Sequence, residues 1–226
     1  MKRFWERVDI VDGGIRLDDR PVKTPGRLPL VLPTPALAEL VADEWRMVTG
    51  EVDPRTMPAT GLANAAIERI APDPRAFAAG LAKYGETDLL CYRAETPTPL
   101  VERQAASWDP PLDWARRRYD MRIDTTAGIV HRPQPPATIA RLGEAIAAQD
   151  AWRLVALSPV VTITGSLVLA LALAEGAMTP DAVWTAAQVD EDWQAEQWGE
   201  DPLAAATTAA HRRDFDAAAR FLAALG

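Results

Sequence analysis

The chain has 226 residues, a formal net charge of −8 and a pI near 4.9, which leaves room for a substantial core, as one large domain or two small ones. An acidic balance argues against nucleic acid as the main partner, because phosphate binding needs a basic footprint. A single cysteine, Cys91, excludes an intrachain disulfide, and with only two histidines the familiar zinc-site spacings are absent.

In chain order, the first 33 residues read as β structure. Val8–Val11 and Ile15–Leu17 flank Asp12-Gly13-Gly14, a hairpin signal in which glycine supplies positive φ. A turn at Asp18-Asp19 leads to Arg20–Lys23, and Leu28–Leu32 is a further short predicted strand. Thr34 then caps a helix with Pro35 at its first position, and Leu37, Leu40, Val41, Trp45 and Val48 form its apolar stripe before Gly50. Trp45 on that stripe is a core residue. Ala59–Ile70 and Pro74–Lys83 read as helices, whereas the apolar run around Thr87–Arg93 fits helix and strand equally. Prolines 97, 99, 110, 111, 133, 135 and 136 punctuate the middle and leave a helix at Leu112–Tyr119.

From Thr138 the pattern is helical, over about Ile139–Gln149, Pro159–Ala174, Pro180–Trp198 and Asp214–Leu225. Leu154–Ala174 is uncharged, but Pro159, Gly165 and four hydroxyl residues interrupt it. The apolar stretch left falls short of the roughly 20 residues a membrane span needs, so it reads as a buried helix rather than an integral membrane segment. The fold class is therefore α+β: a small N-terminal β-rich domain, placed at 1–55, followed by a larger mainly α-helical domain at 56–226. The opening residues MKRFWERVDI lack a signal or transit pattern, which leads us to expect a cytoplasmic protein.

Charge is unevenly spread. From Leu154 to His211 there is no lysine or arginine, yet there are eight carboxylates, as many as the whole net charge. Six of them fall in Asp190–Asp201, together with Trp193 and Trp198. Carboxylates steer a positively charged partner and exposed aromatics supply contact energy, so this string reads as a protein-binding surface. On one predicted helix, Trp184, Ala187, Glu191, Gln194 and Trp198 share a stripe. Glu191 could instead pair with an arginine at the margin of the core. A third alternative is a carboxylate- or metal-dependent hydrolase using Asp192 and Glu196 one turn apart. No Glu-x-x-His, EF-hand, Walker or G-x-S-x-G pattern supports that chemistry. A Cys91–His131 dyad is a weaker option still, because Cys91 lies in an apolar run. No cofactor, metal or catalytic residue is expected.

Seven strings, in order, then carry a resemblance over most of the chain: RPVKTPGRLPLVLPT, DEW, MPATGLANAAIERI, TDLLCYRAE, QAASWDPPLDWARRRY, TGSLVLALAL and DEDWQAEQWGED. The chain resembles the assembly chaperones of the F-type ATP synthase catalytic sector, the class that attends the α subunit. That resemblance implies a non-enzymatic chaperone that binds unassembled α subunit and shields its subunit interface until the β subunit replaces it. It implies a small β-rich N-terminal domain and a helical C-terminal one. It places the family's acidic helix on Glu191, Gln194, Trp198 and Gly199, and its Glu-Trp pair on Glu44 and Trp45, which we take as structural. With Glu196 and Glu200 from the same acidic string, those four helix residues are the expected partner-binding residues. Pro202-Leu203 depart from the family's small acidic segment. The missing targeting pattern points to a bacterial relative acting in the cytoplasm.

Overall fold

A computed structural model describes residues 1–128, 130–199 and 201–226. Strands β1 (Val8–Val11), β2 (Gly14–Leu17) and β3 (Arg20–Pro21) form an antiparallel sheet in that order. Asp12 and Gly13, at φ 51° and 74°, make the tight turn between β1 and β2, the positive-φ pair that matches strand twist. The expected strand Leu28–Leu32 is not formed: Pro29 and Val31 make only isolated bridges, to Lys23 and Gly14. Pro29 has no amide hydrogen to extend a ladder.

The sheet packs on α1 (Pro35–Met47), capped as expected by Thr34, whose Oγ1 accepts from the Leu37 amide at 3.1 Å. The same hydroxyl donates to the Ala224 carbonyl, tying the start of α1 to the chain's far end. Trp45 is a core residue and meets Trp5 edge-on at 5.5 Å between ring centroids. Glu44 beside it is also buried. Its carboxylate accepts from the amides of Ala59 and Thr60 and from the Thr60 hydroxyl, each at 2.7 Å. It thereby caps α2 (Pro58–Ala65), whose own N-cap residue Met57 offers no side-chain bond. Burial pushes the Glu44 carboxyl up, against the pull of those bonds. After α2 the chain passes into a single π turn, Ala66–Ile70, instead of the uniform helix expected to Ile70.

The helical body follows: α3 (Pro74–Ala82), α4 (Thr98–Tyr119), α5 (Pro136–Ala147), α6 (Ala151–Thr164) and α7 (Leu167–Ala174). Between α3 and α4, Leu89–Cys91 is a 3-10 turn, and β4 (Tyr92–Arg93) pairs in parallel with β5 (Thr126–Ala127). Helix α4 starts 14 residues before the expected Leu112 and runs through Pro110-Pro111. Each interior proline costs about 3 kcal/mol, and the buried face of Gln104, Trp108, Leu112 and Ala115 on that helix outweighs the cost. The expected helix Pro159–Ala174 is two helices. Gly165, at φ 65°, ends α6, and Ser166 caps α7; Pro159 lies inside α6 and does not begin it.

Seven of the eight residues of α7 are buried, so its first amides cannot reach water and need internal acceptors. Ser166 Oγ accepts from Leu169 at 3.0 Å. Asp88, fully buried and distant in sequence, accepts from Val168 at 3.0 Å and from Leu90 at 3.1 Å. Desolvation outweighs these bonds and pushes the Asp88 carboxyl up from 3.8 to about 6.

The chain ends with α8 (Pro180–Ala187), α9 (Val189–Trp198) and α10 (Pro202–Ala223). The single helix expected over Pro180–Trp198 therefore divides, with Gln188 at φ −102°, ψ 9° between the parts. Helix α10 begins well before the expected Asp214, because Asp201 caps it and Pro202 takes its first position. One hydrophobic core runs from Trp5 through α1, α6 and α7 to Leu222. No helix among the described residues is long and apolar enough to cross a membrane.

Two stability measurements follow from the buried carboxylates. Glu44→Ala leaves two buried amides without acceptors and is expected to cost about 3 kcal/mol in urea unfolding. For Asp88 the folded value lies above the unfolded one, so its favourable contribution is complete below pH 3.8 and is lost as pH rises through about 6. The stability of the parent relative to Asp88→Asn should fall by up to about 3 kcal/mol between pH 4 and 7. A difference that grows with pH would mean that the hydrogen bonds dominate burial.

Candidate functional site: an acidic ridge between two grooves

Helix α9 has one buried residue, Val189, so its ten residues stand out from the body as a ridge. Asp190, Glu191 and Asp192 occupy its first turn, where carboxylates are favoured by the helix dipole. The ridge is joined to α4 by polar links from two adjacent residues. Arg103 forms a two-pronged ion pair with Glu196, both contacts 2.8 Å, and lies 5.1 Å from the Trp193 ring centre. Gln104 donates to Asp190 at 2.7 Å and accepts from the Ala94 amide at 2.8 Å. One turn further along α4, the Trp108 indole donates to the Ala186 carbonyl at 2.7 Å and fastens α8.

On one side of the ridge, a groove of about 500 Å³ separates α9 from the first half of α10. Trp184, Glu191, Gln194, Trp198 and Gly199 line it. The kink at Gln188 thus keeps four members of the expected stripe on one groove and turns the fifth, Ala187, into the core. Glu191 and Gln194 are exposed, and Trp198 is 79% exposed. The groove walls withhold hydration from the Glu191 carboxyl and push it up, helped by the neighbouring charges of Asp190 and Asp192. The cation in this groove, Arg212, is already answered by Asp181 at 2.5 Å and Asp216 at 2.9 Å. Gly199, at φ 86°, permits the turn from α9 toward α10. Glu200, expected beside it, lies outside the described residues.

Glu196 does not line that groove. Its carboxylate is held by Arg103, which lowers its pKa, while Asp192 is pushed up, first by desolvation and then by Glu196. The two pKa values are therefore displaced in opposite directions. Among the described residues, no group of three or more His, Cys, Asp or Glu side chains is placed to hold a metal ion. Cys91 is buried, which pushes its thiol up to about 12, and His131 pairs with the Tyr92 hydroxyl at 2.8 Å. Neither is set up for nucleophilic chemistry. The roles of Arg103, Gln104 and Trp108 were not read from sequence. Gln104 and Trp108 lay in a string that carried the resemblance, but the expected helix began only at Leu112, so no face was assigned to them or to Arg103.

Residues 2–116 match the family model described as ATP12 chaperone protein. The mitochondrial Protein atp12 of Schizosaccharomyces pombe is 25% identical over 214 residues, covering 88% of this chain and 74% of that protein. The crystal structure of Atp12 from Paracoccus denitrificans superposes with a TM-score of 0.93 at 40% identity, covering 99% of this chain and 97% of that one. The Atu1473 protein of Agrobacterium tumefaciens superposes at 0.94 with 42% identity, covering 100% and 86%. The chain belongs to the ATP12 chaperone family, the chaperones of ATP synthase assembly.

Proposed function

We propose that the protein binds the unassembled α subunit of the ATP synthase catalytic sector through the α9 ridge and the groove beside α10. It shields a subunit interface there until the β subunit takes its place. It acts by binding and not by catalysis, in the bacterial cytoplasm. The observation that carries this reading is Trp198: a large aromatic, 79% exposed, at the end of a ridge bearing Glu191 and Asp192. A monomer gains nothing from displaying an indole there, whereas a partner gains a contact anchor. Glu191, Gln194, Trp198 and Gly199 form the contact in this reading. Glu196 and Arg103 hold the ridge in position, and Glu44 and Trp45 keep the N-terminal unit braced against α2.

Charge and aromatic contact have separable effects. Exposed charges are screened at about 0.5 M salt, where the Debye length is roughly 4 Å, whereas a buried indole is not. High salt is therefore expected to slow association with purified α subunit and to leave most of the complex intact at equilibrium. Trp198→Ala is expected to weaken the complex by at least about 2 kcal/mol, and Glu191→Lys to abolish co-purification with normal circular dichroism. A folded Glu191→Lys protein that binds normally removes that residue from the site.

The Arg103–Glu196 pair has its own test. Arg103→Glu and Glu196→Arg should each weaken binding, and the double exchange should restore it, because the pair is re-formed with its polarity reversed. Failure of the double exchange to recover binding, with the fold intact, would make Glu196 a direct contact.

A further inference from the structure

The adjoining face of α9 borders a second, larger groove, of about 690 Å³, which shares Gln194 and Trp198 with the first. One wall is the chain from Ala94 to Pro97 with the start of α4. The other is the α9 stripe of Asp190, Trp193, Gln194 and Gln197, residues at the three- and four-residue spacing of one helix face. The ten residues of α9 span about 15 Å, the reach of four or five residues of extended chain.

Hydrogen-bonding capacity selects the shape of the occupant. The side-chain amides of Gln194 and Gln197 line the groove, and each offers donors and an acceptor, the complement of a peptide group. A helix satisfies its own backbone and has no use for them, but an extended segment presents free N–H and C=O groups. Charge selects the composition. Of the charged groups in this groove, Arg93 is paired with Asp109 at 2.7 Å, and Asp190 is already held by a hydrogen bond from the neutral Gln104 amide. Glu95 is exposed, with Oε1 only 3.2 Å from where a Cβ on Gly128 would sit, and no positive group answers it among the described residues. Trp193 and Leu100 add an apolar surface within reach.

We propose that this groove takes an extended segment of four or five residues from the same partner subunit, carrying one lysine or arginine for Glu95 and a bulky apolar side chain for Trp193. The Gln194 and Gln197 amides bond its backbone. This rests on the chaperone reading above and adds a second, sequence-selective contact to it, so that the partner holds the ridge from both sides.

Cys91 is buried, so a benzophenone maleimide can be directed to a new surface cysteine. Thr96→Cys labels the rim of this groove, at a residue to which the proposal gives no contact, and Thr208→Cys labels the groove beside α10. Each labelled full-length chain is mixed with unassembled α subunit, irradiated, and mapped by mass spectrometry. The expected result is a crosslink from position 96 to a short non-helical segment with a basic residue next to an apolar one. Glu95→Lys should weaken the complex at least tenfold with unchanged circular dichroism, and Glu95→Gln should fall between it and the parent. A complex that tolerates Glu95→Lys, or that crosslinks from position 208 but not from 96, overturns the groove proposal and leaves the chaperone reading standing. If the unmodified parent captures no α subunit, the chaperone reading fails first and the groove proposal falls with it.

Discussion

Helix α7 imposes the constraint around which the molecule is arranged. It is an apolar segment closed in on nearly all sides, and its N-terminal amides have no route to solvent. The solution is a carboxylate sent from another part of the chain. Asp88 receives the Val168 amide, and Ser166 receives that of Leu169. Leu89 N–H adds a bond to the Gly165 carbonyl at 3.0 Å, so the 88–91 turn is pinned to the α6–α7 corner. A buried acid is an expensive cap, as its raised pKa shows, and unsatisfied amides would cost more. Glu44 at the start of α2 repeats the device between the sheet-bearing part and the helical body.

That rigid centre sets the position of a surface that is itself scarcely buried. The 88–91 turn leads into β4 and then into α4, whose Trp108 and Gln104 reach across to α8 and α9. An exposed ion pair such as Arg103–Glu196 adds little to stability, because water and salt screen it. Its consequence here is geometric: it sets the angle of a ridge with few other attachments. The ridge can then offer both of its faces, with Trp198 lining each groove. A binding element built this way is held in place before the partner arrives, which reduces the ordering cost of association.

Local rules made much of this visible in advance. Thr34-Pro35 announces α1, Asp12-Gly13 announces the hairpin, and the run from Asp190 to Asp201 announces a surface unlike the rest of the chain. What stayed hidden was tertiary. Nothing in TDLL or DEW says that Asp88 or Glu44 will cap a helix far along the chain, because that role exists only once the helices are packed. Pro110-Pro111 signals a break that the buried face of α4 overrides. Gln188 interrupts a helix without glycine or proline, so periodicity runs straight through it. In the binding stripe, Glu191, Gln194 and Trp198 were legible as neighbours, whereas the attachment of Glu196 to Arg103 was not. A bidentate pair between distant segments leaves no mark on local spacing.

The central claim is that the protein meets its partner on α9 while the core around α7 stays unchanged. Hydrogen–deuterium exchange of the free chain and of its complex with isolated α subunit tests this most directly. New protection is predicted in residues 188–205 and 92–100, with none gained in 167–174, which is already closed to solvent. Protection confined to the N-terminal sheet, with exchange in α9 unaltered, would contradict the account.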